Sequence, residues 1–202
     1  MRIRLPSFNN PNLPMVPRRG FIDLFDRAES DDIGRTNNNI PWEIHTRDGY
    51  SIWGTTGRGT ARLVESFGQN NHLVAEGGST DGTLTTTFEL VDRTNTNRGG
   101  LTMCFDELNS YIGISAFQLD DDRLRVVESR SDGAYSVGDR GPSLNSGDKL
   151  TAVKSGRELT VLVNDIVVME HTLTQDFPGT KHGLYGHKNG TNEHSRVEFT
   201  PR

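Results

Sequence analysis

Cysteine is nearly absent from this chain. Cys104 is the only one in 202 residues, which excludes an internal disulfide and a cysteine-built metal site. It lies in the run Leu101-Thr102-Met103-Cys104-Phe105, where a buried, inert thiol is expected rather than a nucleophile. Long apolar runs are missing as well. No segment approaches the roughly 18 residues of a membrane helix, so no membrane insertion is expected. The N-terminus starts basic but has neither an apolar block nor a small-residue cleavage site, which predicts a chain made in the cytoplasm without a secretory signal. A dominant charge is also lacking. The net charge is −5 with both signs scattered, so no global field recruits nucleic acid or an anionic membrane. No stretch keeps helical periodicity over three turns, and no solenoid repeat is found.

What is present is short strands and turns. Only 32% of residues are hydrophobic while Gly numbers 22, a lean composition that suits a β-sandwich, whose core is two sheet faces thick. Gly147–Phe199 is the best-specified stretch. Lys149–Lys154, Glu158–Asn164 and Ile166–Thr172 read as strands joined by the turn pairs Ser155-Gly156 and Asn164-Asp165. Asn and Asp both tolerate the left-handed backbone that a two-residue hairpin turn demands. Leu162 breaks the alternation of Leu159–Val163, so one-face and two-face burial stay undistinguished there. A loop through Phe177-Pro178-Gly179 leads to His182–His187 and a last strand, Ser195–Phe199. Upstream, strands are expected at Phe21–Phe25, Pro41–His45, Tyr50–Trp53, Ala61–Glu65, His72–Ala75, Leu84–Val91, Leu101–Phe105, Tyr111–Leu119, Leu124–Glu128 and Ala134–Val137. Along Leu84–Val91, the residues Leu84, Thr86, Phe88 and Leu90 share a face. Turn signals every 8–12 residues or so mark an all-β sandwich or barrel.

Residues 1–20 differ from the rest. They hold Pro6, Pro11, Pro14 and Pro17 of the 8 prolines, with Arg2, Arg4, Arg18 and Arg19 and no acidic residue. This spacing of proline forbids a helix or a central strand and favours an extended path. One reading is a disordered tail. The other is a docking arm across a neighbouring subunit, with Arg2, Arg4, Leu5, Phe8, Leu13, Met15, Arg18 and Arg19 as its contacts. The apolar content favours the arm, because a purely solvating tail is poorer in Phe, Leu, Ile and Met. Arginine in such an arm suits carboxylates of a partner better than nucleic acid. The chain thus divides into an arm, 1–20, and one domain, 21–202.

Phe21-Ile22-Asp23-Leu24-Phe25-Asp26-Arg27 resembles the D-x-F-x-R opening strand of concanavalin A-like (laminin-G-like) jelly-roll domains, and Trp42-Glu43-Ile44 their following Trp strand. Gly99–Asp106 with Asn109–Ile112 is similar to the central hairpin of the family, and Lys149–Glu170 to its signature hairpin. Gly183–Gly186 and Arg196–Phe199 resemble its closing pair. The resemblance spans residues 21–200 and implies two antiparallel sheets of about six or seven strands, packed face to face. Domains of this type with such openings are common in tail and other virion proteins of bacteriophages. The expectation is therefore a non-enzymatic virion component, a minor tail protein or head decoration. Residues 1–20 dock it to other virion proteins, and the jelly roll faces outward in symmetric multiple copies. The alternative is a glycan-binding module for host-surface attachment.

The resemblance also directs a search for chemistry. The β-glucan-cleaving branch of the superfamily carries Glu-x-Asp-x-x-Glu on one strand. Glu128-Ser129-Arg130-Ser131-Asp132 has the wrong spacing, and Glu170 and Glu198 have no strand partner, so no catalytic residue is assigned. Glycan binding needs an exposed aromatic beside polar loop groups. Trp42, Trp53, Tyr50, Tyr111, Tyr135 and Tyr185 are the aromatics with a polar handle. Both tryptophans read as core, and Tyr185, His187, Asn189 and Asn192 are the candidate glycan contacts. No cofactor is expected. Calcium, which many laminin-G-like domains bind, has candidates in Asp31-Asp32 and Asp120-Asp121-Asp122, although acidic turns are usually just solvated. His182, His187, Glu193 and His194 lack the spacing of an organised transition-metal site. Gly54–Thr60 lacks the Gly-Lys-Ser/Thr ending of a phosphate loop and reads as a bulged turn. No Gly-x-Ser-x-Gly elbow supports a nucleophilic triad.

Overall fold

The computed structural model describes residues 20–47, 49–68, 70–90, 99–117, 123–130, 132, 135–187 and 192–202. Within them the short runs form strands: β1 (Phe21–Asp23), β2 (Glu43–Thr46), β3 (Ser51–Thr55), β4 (Ala61–Ser66), β5 (Asn71–Glu76), β6 (Gly82–Leu90), β7 (Gly99–Glu107) and β8 (Ser110–Phe117). They continue as β9 (Arg123–Ser129), β10 (Tyr135–Ser143), β11 (Lys149–Ser155), β12 (Glu158–Val163), β13 (Ile166–Thr172), β14 (Lys181–Gly186) and β15 (Glu193–Pro201). One sheet has eight strands in the order β13-β12-β11-β6-β15-β4-β3, with β1 added beside β15. The other has seven, in the order β10-β9-β8-β7-β14-β5-β2. All pairings between these strands are antiparallel. This is the expected all-β two-sheet jelly roll.

The hairpin β12–β13 forms as its turn residues require. Asn164 and Asp165 have φ of 52° and 66°, the left-handed pair of a tight hairpin. The Asn164 side chain also accepts from Lys149 N at 2.9 Å and donates to Asp148 at 2.7 Å, tying the turn to the start of β11. Strand β12 buries one face. Leu159, Val161 and Val163 point into the core, and Leu162 is half-buried on the other side, so its apolar character does not signal two-face burial.

Between the sheets, Leu84, Phe88, Val197 and Phe199 of the eight-stranded layer meet Leu73, Leu101, Ile112, Ile114, Leu124, Val126 and Leu184 of the seven-stranded one. Burying each such side chain stabilises the fold by roughly 1.5–3 kcal/mol. The alternation breaks in β7. Cys104 sits at φ 52° where the register of β7 shifts against both β8 and β14. Met103 and Cys104 therefore both face the core, and Phe105 emerges on the opposite side. The Cys104 thiol bonds the Thr80 carbonyl at 3.2 Å, and burial pushes its pKa up to about 12, which makes it inert as expected.

The D-x-F-x-R opening joins the layers. Asp23, fully buried at the end of β1, takes both guanidinium nitrogens NH1 and NH2 of Arg27 at 2.9 and 2.8 Å. It also accepts from the Trp42 indole at 2.6 Å and from Phe25 N at 2.9 Å. Trp42 leads into β2, so one carboxylate of the eight-stranded layer holds the entry to an edge strand of the other. Removing one partner of a buried, hydrogen-bonded ion pair costs about 3–5 kcal/mol. Asp23→Ala should therefore lower unfolding stability by that order in urea titration; a loss below about 1 kcal/mol would show that the clamp is dispensable.

Candidate functional site

The seven-stranded sheet has an outer face, turned away from the core, and alternation decides which side chains reach it. Glu43 and His45 of β2, His72 and Val74 of β5, Tyr185 of β14, Thr102 and Phe105 of β7, and Tyr111 of β8 lie on this side. His72 is ringed by Tyr111, Phe105 and Tyr185 at centroid distances of 4.4, 5.0 and 5.4 Å. Its Nδ1 pairs with Thr102 Oγ1 at 2.9 Å. Val74, Phe105 and Tyr111 form a second apolar cluster, apart from the main core, with Leu108 against it. This face is a closed floor: His72, Val74, Phe105, Tyr111 and Tyr185 are all buried.

Of the predicted contact residues, Tyr185, His187 and Asn192 are buried. Tyr185 is only 6% exposed, and its hydroxyl donates to Asn70 at 3.0 Å. His187 and Asn192 are buried at the same end of the strands, Asn192 lying against Gly99 where β7 begins. Phe105, displaced by the Cys104 bulge, lies with Tyr185 around the same imidazole, their rings 5.0 and 5.4 Å from that of His72. Asn189, the acidic turn Asp120–Asp122 and the arm contacts Arg2, Arg4, Leu5, Phe8, Leu13, Met15, Arg18 and Arg19 lie outside the described residues. Trp42 and Trp53 are core, as expected.

The exposed aromatic surface lies elsewhere, at the far end of the β3–β4 hairpin from its connecting loop. Phe67 is 71% exposed and Tyr50 45%, with ring centroids 5.0 Å apart and planes at 41°. Phe67 N donates to Tyr50 O at 3.0 Å, continuing the ladder past Ser51 and Ser66. Ser66 Oγ accepts from Gly68 N at 3.1 Å and donates to Asn71 at 2.9 Å, which fixes the turn that carries Phe67. The Tyr50 hydroxyl donates to Glu65 Oε1 at 2.6 Å, and this bond, with the charge behind it, raises the phenol's pKa. Phe67 was not among the sequence candidates. Its signal was a phenylalanine inside the turn run Ser66-Phe67-Gly68-Gln69-Asn70-Asn71, where no strand face could bury it.

Three carboxylates are shifted, all of them downward. Glycosidases need a carboxyl held protonated, with a raised pKa. Desolvation pushes Glu43, Asp81 and Glu128 upward, yet in each case bonding outweighs it and the pKa is lowered. Lys181 and His45 hold Glu43, Lys154 and Gly156 N hold Asp81, and Thr174 and His171 hold Glu128. Among the described residues no group of three or more His, Cys, Asp or Glu is placed to hold a metal ion. Asp32 caps Gly34 N at 2.9 Å. His182 stacks on Phe199 at 3.8 Å and bonds Ser79 O at 2.8 Å, whereas His194 packs on Phe88 and pairs with Thr86, and Glu193 is engaged by Arg58 and Thr60.

No family model and no curated protein sequence matches the chain. Solved structures do. The chain is similar to a β-glucanase of Bacillus licheniformis, at 12% identity over 91% of this chain and 98% of that one, with a TM-score of 0.58. It is similar to LamAcat of Zobellia galactanivorans, at 12% identity over 89% and 96%, with a TM-score of 0.55. It is also similar to the GH43 protein BlXynB of Bacillus licheniformis, at 16% identity and a TM-score of 0.61, over 88% of this chain but 37% of that one. These likenesses give the class: the chain has the concanavalin A-like jelly-roll fold.

The buried imidazoles carry a pH dependence. Desolvation lowers His72 and His194 to about 3 and His182 to about 4. All three therefore stay neutral in the folded protein well below the ordinary histidine pKa of about 6.5. The unfolded chain binds the extra protons, so stability is full above about pH 6.5 and is lost as the pH falls toward 4, by about 1 kcal/mol per pH unit for each imidazole. Tm measured from pH 8 to 4 should be flat above pH 7 and fall steeply below 6.5. A flat Tm down to pH 4.5 would contradict neutral burial of these rings.

Proposed function

We propose that this protein is a non-catalytic carbohydrate-binding jelly roll that takes a sugar ring on the exposed Tyr50–Phe67 pair. The observation that carries the reading is that pair. A largely exposed phenylalanine tilted against a half-exposed tyrosine contributes little to the core, and an aromatic surface left open on a loop is suited to a ligand. The C–H face of a pyranose is apolar and its rim is hydroxylated. It matches an aromatic surface bordered by a carboxylate, here Glu65, which Tyr50 already orients. The fold shared with structures described as a β-glucanase and a GH43 protein supports a carbohydrate ligand, and the absence of a Glu-x-Asp-x-x-Glu strand in the sequence supports binding without hydrolysis. The virion reading rests on the resemblance of the Phe21–Arg27 opening and on the arm, which lies outside the described residues, whereas an exposed aromatic pair supports the carbohydrate reading.

A glycan array followed by calorimetry on the best ligand tests this. Phe67→Ala should weaken binding by about tenfold or more, since an aromatic contact contributes on the order of 1 kcal/mol beyond its buried area. Its Tm should stay within about 2 °C, because an exposed side chain adds little to the core. Equal binding by the variant, or no signal on the array, would overturn the proposal.

A further inference from the structure

The turn joining β3 to β4 builds a second, separate feature. Gly57 and Gly59 adopt φ of 71° and 77°, conformations that side chains disfavour, and present Arg58 at the tip between them. Thr56 N bonds Thr60 O at 2.9 Å, and the two hydroxyls meet at 2.6 Å, closing the turn beneath Arg58. Alongside lies an open pocket of ≈ 470 Å³, lined by Arg58, Thr60, Glu89, Glu193 and Ser195. That volume is within the range of small-ligand sites, roughly 300–1,000 Å³.

The charges in this pocket are unequally satisfied. The Glu193 side chain, 9% exposed, accepts from Arg58 at 3.0 and 3.3 Å and from Thr60 at 3.0 Å, and Arg62 is its register partner on β4. Its charge is neutralised. Glu89, on β6 across β15 from the arginine, is exposed and makes no ion pair with a described residue. Among the described residues, one wall is therefore a carboxylate without an ion-pair partner, the lining includes Ser195, and the opposite wall is a guanidinium with donors to spare, since only Nη2 of Arg58 bonds Glu193. The pocket walls present hydroxyl, carboxylate and guanidinium groups, which suit a polyhydroxylated ligand.

We infer that this pocket is a binding site for a sugar bearing a protonated amine, with the ammonium on Glu89 and the sugar hydroxyls on Ser195 and Arg58. The polyol half of this assignment rests on the carbohydrate reading above, whereas the preference for a cation rests on Glu89 alone. Glucosamine oligosaccharides and their fully N-acetylated counterparts of equal length are the probes, titrated by calorimetry against the full chain, Glu89→Gln and Phe67→Ala. The wild type should bind the free-amine form at least tenfold more tightly, with the preference shrinking as salt is raised. Glu89→Gln should erase the preference at unchanged Tm, and Phe67→Ala should keep it. No preference in the wild type, no binding of either probe, or a preference that survives Glu89→Gln would overturn the site. A preference lost in Glu89→Gln, with binding unaffected by Phe67→Ala, would uphold this pocket while removing the aromatic platform.

Discussion

The Asp23 carboxylate holds this sandwich in register. It is fully buried, yet four bonds reach it, two from Arg27 and one each from the Trp42 indole and Phe25 N. An isolated charge in that position would cost several kcal/mol; the bidentate guanidinium and the two neutral donors are what make it tolerable. The aromatic rings follow from it. Phe21 meets Trp42 edge-on at 5.4 Å, Phe25 stacks on Trp42 at 6.2 Å, and Phe21 reaches Phe199 at 6.0 Å. Phe25 takes a φ of 50°, unfavourable for a large side chain, and the Asp23 bond to its N–H together with full burial of its ring holds it there. The layers therefore meet at one end through a polar clamp, and along the rest through apolar interdigitation.

With the layers fixed, two outward surfaces remain, and they differ in chemistry. The outer face of the seven-stranded sheet is a second small core, in which an imidazole sits among three aromatic rings. The outward parts of the β3–β4 hairpin are open, with aromatics at one end and charge at the other. Recognition can be carried at such a hairpin without disturbing the sandwich, because its exposed side chains contribute little to the core.

Much of this architecture was legible in the sequence. Turn pairs such as Asn164-Asp165 are local, and local chemistry set them; β13 falls on the expected Ile166–Thr172. The D-x-F-x-R pattern was visible as a motif, and its geometry explains the pattern: Asp and Arg form the clamp while Phe fills the space beneath Trp42. The candidate site was less legible. Alternation along Leu101–Phe105 would turn Phe105 inward, and only the left-handed Cys104, a residue type with no preference for that conformation, sends it out to join Val74 and Tyr111. Long-range neighbours decided that outcome. Phe67 was missed for a different reason, since the candidates were restricted to aromatics with a polar handle, although the turn around Phe67 gives it no path to the core.

The account stands on where a sugar sits. Intermolecular nuclear Overhauser effects between a bound oligosaccharide and protein labelled only on its phenylalanine and tyrosine rings locate it directly. Contacts from the sugar C–H protons to the rings of Phe67 and Tyr50, with Tyr111 and Tyr185 silent, are the predicted result. Contacts to Tyr111, Tyr185 and Phe105 instead would place the ligand on the outer face of the seven-stranded sheet and contradict it.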